Sequence, residues 1–539
     1  MAVIQSVVAG GVDAKEQALA GLLDAVLERH LQPEDQFEVA ALLESMGWND
    51  QRAAEAFGVE DVFELAAILW QRMQQRISFT PFSKVRSYTF FEMVKELMRN
   101  FLRGVIFALP MALSILSMLT LRFSLWSYEN LSVELATSIG VGTILSFITV
   151  GGFTQAIARR GFFYVIQGYY QMARRVTFYL ITLGFVVCLI VCGLLYVINS
   201  FIQVLPYDLL TVAILYFFFL NAIWLSVTVM YILKKELVFT GLILAGIGIV
   251  YLIIQIIGEK NIIVAQLIAL LVVSVISMAL VVYFFKKAEQ KGERGIAPKL
   301  PKMSVLLYST MPYFVYGFLY FAFLYVDRIM AWTTYNPGYM PFYILFRGYY
   351  ELGLDFALLV LIIPMGVSEV VLSKLMQDIQ TSQKAYWGHE ADKMNQFFVL
   401  QYWKRIGAVA GISGLSAILI YFITRYITTE LPSNAGRILI TDPITQSVFF
   451  WALIAYVFVA IALMNTVVLF ALSQPMRAIQ CVFPAMALNL VVGFVCSRWW
   501  GYEYAVIGLL AGSLAFMIIS ARNVLQVLRK LDYYLYAAS

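Results

Sequence analysis

The stretch KKAEQKGERGIAPKLPK, residues 286–302, carries six Lys/Arg, two glycines and two prolines, and no apolar period runs through it. It reads as a polar linker. On both sides of it the chain turns apolar in runs of membrane length. Before it lie 102–121, 131–152, 177–199, 208–232, 238–257 and 262–285; after it lie 304–332, 344–372, 406–427, 444–471, 477–498 and 503–525. Each run is long enough to cross a hydrocarbon core of about 30 Å as a helix, some with tilt. Only 13% of the 539 residues are charged and 61% are hydrophobic, with a mean hydropathy of +0.80. Soluble domains carry roughly 25% charged residues, so this chain has too little charge to clothe two or three of them. The composition excludes a secreted domain, a nucleic-acid binder and an ordinary soluble enzyme for the bulk of the chain. It leaves an all-α polytopic membrane protein of about twelve spans in two six-helix halves.

The placement of Lys and Arg tests that count, because basic residues accumulate on the cytoplasmic side. Alternate connections, with the leading segment and the tail, hold 26 Lys/Arg, whereas the opposite side holds 6: Arg122, Lys260, Arg347, Arg425, Arg437 and Arg498. Both termini are therefore expected on the cytoplasmic side. An even number of spans per half gives the halves the same orientation, as in parallel repeats. Pro110 in the first span and Pro312 in the seventh predict a kink in the leading helix of each half; Pro364 and Pro484 are further span prolines. The long basic connections after the second and eighth spans, around residues 154–175 and 373–405, occupy the same place in each half and read as interfacial helices.

Ahead of the spans, residues 1–83 carry 5 Lys/Arg against 13 Asp/Glu. This net of −8 marks a separate acidic domain. Apolar residues recur there at helical spacing in three sets: Leu19, Leu22, Leu23, Val26 and Leu27; Phe37, Val39, Ala40, Leu42, Leu43 and Met46; Val62, Phe63, Leu65, Ala66 and Leu69. Gly47 and Gly58 stand where helices stop. The stretch LLESMGWNDQRAAEAFG, residues 42–58, is similar to compact three-helix modules with a Met-Gly-aromatic loop, such as ubiquitin-associated domains. The expected organisation is a soluble docking or regulatory domain at 1–83, a first lobe at 84–285, the linker at 286–303 and a second lobe at 304–539. The first thirty residues include Asp13, Lys15, Glu16, Asp24 and Glu28 and have no clean apolar core, so no secretory signal is expected. Cys188, Cys192, Cys481 and Cys496 all lie in apolar stretches and read as packing residues.

Charges inside spans are costly, so each is a functional candidate. Counting inward from the basic side puts Asp327 and Arg328 in the outer leaflet, at the end of the seventh span. Arg347, Glu351 and Asp355 enter the eighth span one turn apart on one face, and Glu369 lies near its far end. These charges either line an outward vestibule that binds glycan or a coupling cation, or pair with one another at the interface. Tyr313, Tyr316, Tyr320, Tyr325, Tyr349 and Tyr350 add aromatic faces that suit sugar rings or the lipid belt. In the first half, Asn221 and Trp224 fall within the fourth span. Gln155, Arg159 and Arg160 close the second and are placed to meet phosphate of a lipid carrier or of the bilayer.

Enzyme chemistry finds no motif. GHEAD, residues 388–392, lacks the second His of a zinc-binding HExxH. No GxxxxGK[ST] stretch exists, and GLILAGIGIV, residues 241–250, is a small-residue membrane helix rather than a dinucleotide loop. No cofactor or metal is expected.

Twelve helices, two like halves and long loops after helices 2 and 8 resemble the multidrug/oligosaccharidyl-lipid/polysaccharide (MOP) flippase superfamily. Within it, GFTQAIARR (152–160), NAIWLSVTVMYILKKE (221–236) and FLYFAFLYVDRIMAW (318–332) are similar to the Pel-type exopolysaccharide transporter (PelG) family. Asp327, Arg328 and Trp332 stand where that family has an Asp-Lys/Arg and a nearby Trp in its seventh helix. The likeness covers roughly residues 85–539. The chain departs from the family by replacing a glycine-rich basic start with the acidic helical domain. The resemblance implies export of a polysaccharide or lipid-linked glycan across a bacterial inner membrane by alternating access, beside a cytoplasmic glycosyltransferase and accessory membrane proteins, without nucleic acid. Two other readings stand beside it at this point: a multidrug or cation exporter of the same superfamily, and a non-transporting membrane scaffold.

Overall fold

A computed structural model describes residues 12–29, 35–79, 90–127, 131–258, 261–290, 302–383, 391–430 and 441–538. The chain divides into two compact units, Met1–Met93 and Val94–Ser539.

The first unit holds α1 (Val12–Arg29), α2 (Gln36–Ser45), α3 (Asp50–Phe57) and α4 (Val62–Phe79). Its helix starts follow from side-chain caps. Asp35 accepts from the Glu38 N–H at 2.8 Å, and Asn49 accepts from the Arg52 N–H at 2.9 Å. Gly58 ends α3 in the left-handed region at φ 68°, which glycine adopts without a Cβ penalty. Leu43, Leu65 and Leu69 are buried at the centre of a core in which Trp48 packs on Phe57 at 5.5 Å between ring centroids.

The second unit is built of long apolar helices: α5 (Phe90–Leu121), α6 (Val133–Ile166), α7 (Tyr170–Ile202), α8 (Tyr207–Ile232), α9 (Glu236–Ile257), α10 (Ile262–Glu289), α11 (Met303–Trp332), α12 (Gly348–Leu358), α13 (Ile362–Gln383), α14 (Ala391–Glu430), α15 (Pro443–Ala471), α16 (Pro475–Trp499), α17 (Ala505–Leu528) and a short α18 (Leu531–Ala538). Among the described residues, eleven spans are long and apolar enough to cross a membrane, or twelve with the bent α5. The twelve runs read from the sequence all appear. One hydrophobic core gathers helices α6 to α10, and a second gathers α11 to α17 with Ile144 of α6 joining it.

Two proline sites show how the backbone is kept satisfied in an apolar setting. The halves of α5 meet at 46°, one turn before Pro110. Pro312 lies inside α11, which runs as one helix from Met303 to Trp332. In the eighth span α12 and α13 join through a 3₁₀ turn at Leu359–Leu361. Pro364 has no N–H for the carbonyl four residues back, and Ser416 of α14 donates to that Val360 oxygen at 3.0 Å instead.

The interfacial helices expected after the second and eighth spans are absent as separate elements. Residues 154–166 continue α6 without a break, and a turn with Gly168 at φ +79° leads directly into α7. At 1.5 Å per residue, 34 residues give about 51 Å, so α6 stands well beyond a core of about 30 Å. Its basic end lies on the axis of the same helix. Residues 373–383 and 391–405 likewise belong to α13 and α14; residues 384–390 of that expectation lie outside the described residues. The four cysteines are free thiols, with Cys188, Cys481 and Cys496 buried among apolar neighbours.

The lobes meet along α6 and α11. A Cβ on Gly317 would overlap the Gly151 carbonyl oxygen, and one on Gly152 would lie 2.6 Å from the Phe314 ring. Glycine at these positions is what lets the two backbones touch.

Candidate functional site: a buried charge cluster and an aromatic ladder

Helical spacing builds the cluster. Arg328 and Trp332 lie four apart on α11, Glu351 and Asp355 four apart on α12, and the two faces meet. Arg328 Nη1 pairs with Glu351 Oε2, while Arg328 Nη2 reaches Asp355 Oδ1 at 3.0 Å. Trp332 Nε1 donates to the other Glu351 oxygen at 2.8 Å. Asp327 faces away from its neighbour Arg328 and accepts from the Tyr350 hydroxyl at 2.8 Å, leaving its Oδ1 buried without a partner. Two carboxylates thus share one guanidinium, with the Asp327 carboxylate beside it. Asp327, Arg328 and Glu351 are buried, whereas the Asp355 side chain is 49% exposed and forms the open side of the cluster. Burying such charges is tolerable only because they are paired and hydrogen-bonded.

The structure separates other candidates from this group. Arg347 donates to the Thr334 carbonyl at 2.7 Å and lies over the Tyr502 ring at 4.7 Å, pinning the α11–α12 connection rather than joining Glu351 and Asp355. Its placement on their helical face fails because Arg347 precedes the first turn of α12. Glu369 sits far down α13, within electrostatic range of Arg103 and Glu236. The Tyr349 side chain is exposed while its carbonyl accepts from Thr445 at 3.0 Å. Asn221 is buried in the first lobe, where Ser146 donates to it at 3.1 Å and its Nδ2 has no partner. On the α11–α12 connection, Tyr339 donates to Glu134, which pushes the phenol above its ordinary value.

A second feature runs the length of the lobe seam. Arg328 lies over Tyr325 at 5.3 Å; Tyr325 stacks on Phe147 of α6 at 5.3 Å, and Phe147 on Phe321 at 5.7 Å. Phe321 meets Tyr320 at 5.5 Å, Tyr320 stacks on Tyr316 at 6.0 Å, and Tyr316 meets Phe470 of α15 at 4.7 Å. Phe470 meets Tyr313 at 5.3 Å, and Arg159 lies over Tyr313 at 5.2 Å. The result is a continuous ladder from the charge cluster to the basic end of α6. Along α11 it spans twelve residues, about 18 Å. Trp224 extends it into the first lobe, 4.9 Å from Phe147, with its indole N–H buried and unpartnered.

Arg159 and Arg160 stitch the lobes at the foot of the ladder. Arg159 donates to Ser473 at 3.1 Å, and Arg160 donates to Ser309. Gln155 packs its Cγ over Gly317. The tyrosines of the ladder were visible in the sequence as a stripe at spacings of three, four and five on α11. Their partners Phe147, Phe321 and Phe470, and Tyr456 beside Arg328, were not. Uncharged aromatics in apolar spans carry no sequence signal that tells a lobe seam from a lipid-facing surface.

The two lobes meeting along this seam have the fold seen in MATE-type transporters. The structure is similar to the Vibrio cholerae MATE transporter VcmN in its bent form, with 13% identity, a TM-score of 0.53, and coverage of 82% of this chain and 99% of that one. It is also similar to a MOP superfamily transporter from Pyrococcus furiosus (13%, TM-score 0.51, 80% and 96%). A multidrug resistance MATE transporter in an outward-facing conformation gives 14% identity, a TM-score of 0.50 and coverage of 80% and 96%. No curated protein sequence matches. Residues 92–536 match the PelG family, described as "Putative exopolysaccharide Exporter (EPS-E)". The chain belongs to this family, as the resemblance in its second, fourth and seventh spans implied. The acidic helical unit lies outside the matched residues.

Proposed function

We propose that this protein exports a polysaccharide or lipid-linked glycan across a bacterial inner membrane, with both termini in the cytoplasm. The lobes alternate access along the α6–α11 seam. The aromatic ladder carries this reading. Sugar rings present C–H faces that stack on aromatic rings, and a row of such rings lets a polymer advance by small, nearly equal steps. The ladder begins beside Gln155, Arg159 and Arg160, which form the entry end. It finishes at Asp327, Arg328, Glu351 and Asp355, where a surplus of carboxylates holds a coupling cation or proton and keeps the exit polar. Trp224 and Asn221 offer unpartnered N–H donors to sugar hydroxyls from the first lobe. The acidic helical unit docks a cytoplasmic partner such as the synthase glycosyltransferase, and accessory membrane proteins complete the assembly.

The test is surface polysaccharide in a deletion strain complemented by wild type, Tyr320→Ala or Asp327→Asn, each checked for membrane abundance. Both variants should reach the membrane and fail to restore surface polymer. Full restoration by both would remove the ladder and the cluster from the transport path.

A further inference from the structure

A cavity of about 740 Å³ lies in the second lobe, away from the seam, between α14 and α17 with Ile461 of α15 at its base. That volume falls within the ~300–1,000 Å³ of ordinary ligand sites. Its walls are apolar: Ile406 and Ala410 on α14, Met517, Ile518 and Leu525 on α17. Gly407 holds the α14 wall open, since a Cβ there would meet no atom within 4 Å. At one end the chemistry changes. Arg522 and Arg529 line the cavity, stand seven residues apart on one face of the α17 axis, and are exposed. Among the described residues neither side chain has a hydrogen-bond or ion-pair partner. The nearby polar groups are engaged elsewhere: Gln526 accepts from Arg477 at 2.9 Å, and Arg405 pairs with Asp378. Trp403, 54% exposed, stands at the same end, where an indole suits the membrane–water boundary.

Depth identifies what fits. Arg529 marks the end of α17, and Arg522 lies about 10 Å further into the bundle at 1.5 Å per residue. A guanidinium at that depth on a membrane-facing helix is costly without an anion. The lining comes from α14, α15 and α17 and from neither seam helix, and Trp403 and Ile518 on it are exposed at the surface of the apolar bundle, so the occupant that fits comes from the bilayer, with an apolar tail and an anionic head. We propose that this cavity is a binding site for an anionic glycerophospholipid of the basic-side leaflet, one acyl chain in the cavity and its phosphate between Arg522 and Arg529. The bound lipid bridges α14 to α17. The site is independent of which glycan is exported.

The test uses the purified full-length protein in detergent, with native mass spectrometry during titration of phosphatidylglycerol, phosphatidylcholine, undecaprenyl phosphate or inorganic phosphate. Phosphatidylglycerol should bind wild type in preference to phosphatidylcholine. Arg522→Gln/Arg529→Gln should weaken that binding by roughly 30-fold, about a factor of five for each arginine. Gly407→Leu should fill the cavity and weaken phosphatidylglycerol with both arginines intact; a Cβ there meets no atom within 4 Å, and the change raises helix propensity. Several results would overturn the proposal: equal retention by wild type and both variants, no preference over phosphatidylcholine, selective binding of undecaprenyl phosphate or of inorganic phosphate alone, or a second copy of the chain in place of lipid. A double variant that fails to fold would leave Gly407→Leu to decide alone.

Discussion

Replacing Arg328 by Met should destabilise the protein by about 3–5 kcal/mol, the usual cost of removing one member of a buried ion pair. Most of that cost falls on Glu351. Its carboxylate is buried and would keep only the Trp332 N–H, whereas Asp355 is half exposed and recovers solvent. Glu351→Gln should cost less, because Arg328 retains Asp355 at 3.0 Å and the amide oxygen still accepts from Trp332. The double variant Arg328→Met/Glu351→Leu removes both charges together, so it should recover a large part of the stability lost by Arg328→Met alone. Thermal unfolding of the purified proteins in one detergent measures the first comparison, and surface polymer in complemented cells measures function. The expected pattern is rescue of stability without rescue of export. If the double variant is as unstable as Arg328→Met, an uncompensated Glu351 charge is not the source of the loss. If it regains export as well, the cluster is a structural fastening.

Three smaller perturbations probe the scaffold. Gly317→Val places a branched side chain against the Gly151 carbonyl and Gln155; overpacking of about 1–3 kcal/mol should appear as reduced membrane abundance, and normal abundance would argue against a tight α6–α11 seam. Ser416→Ala leaves the Val360 carbonyl unpaired and should lower the thermal midpoint by the equivalent of about 1–3 kcal/mol, with Ser416→Thr largely neutral; equal effects would mean the hydroxyl is not the partner. Asn49→Ala removes the α3 cap and should cost about 1 kcal/mol, read as faster amide exchange in residues 50–57 of the full chain, while unchanged exchange would exclude the cap.

The architecture was legible because membranes restrict the alphabet. With no water to satisfy the backbone, each apolar run of about twenty residues is a helix, so the boundaries near residues 477–498 follow from composition alone, whereas α5 begins at Phe90, well before the run at 102–121. The same logic exposed Asp327, Arg328, Glu351 and Asp355, since a charge in such a run is conspicuous. It misjudged Arg347, because a shared helical face requires the residue to be in the helix, and Arg347 sits before the first turn of α12. It also misjudged the basic stretch at residues 154–175, because periodicity shows an amphipathic helix without showing whether it lies flat or continues a span. Which carboxylate takes the guanidinium, the pairing of Asp327 with Tyr350, and the meeting of Phe147 and Phe470 with the α11 tyrosines were decided only by tertiary packing. Apolar helices have many equally apolar faces. Lipid does not select among them, and only the close approach that glycines such as Gly151 and Gly317 permit fixes which faces meet.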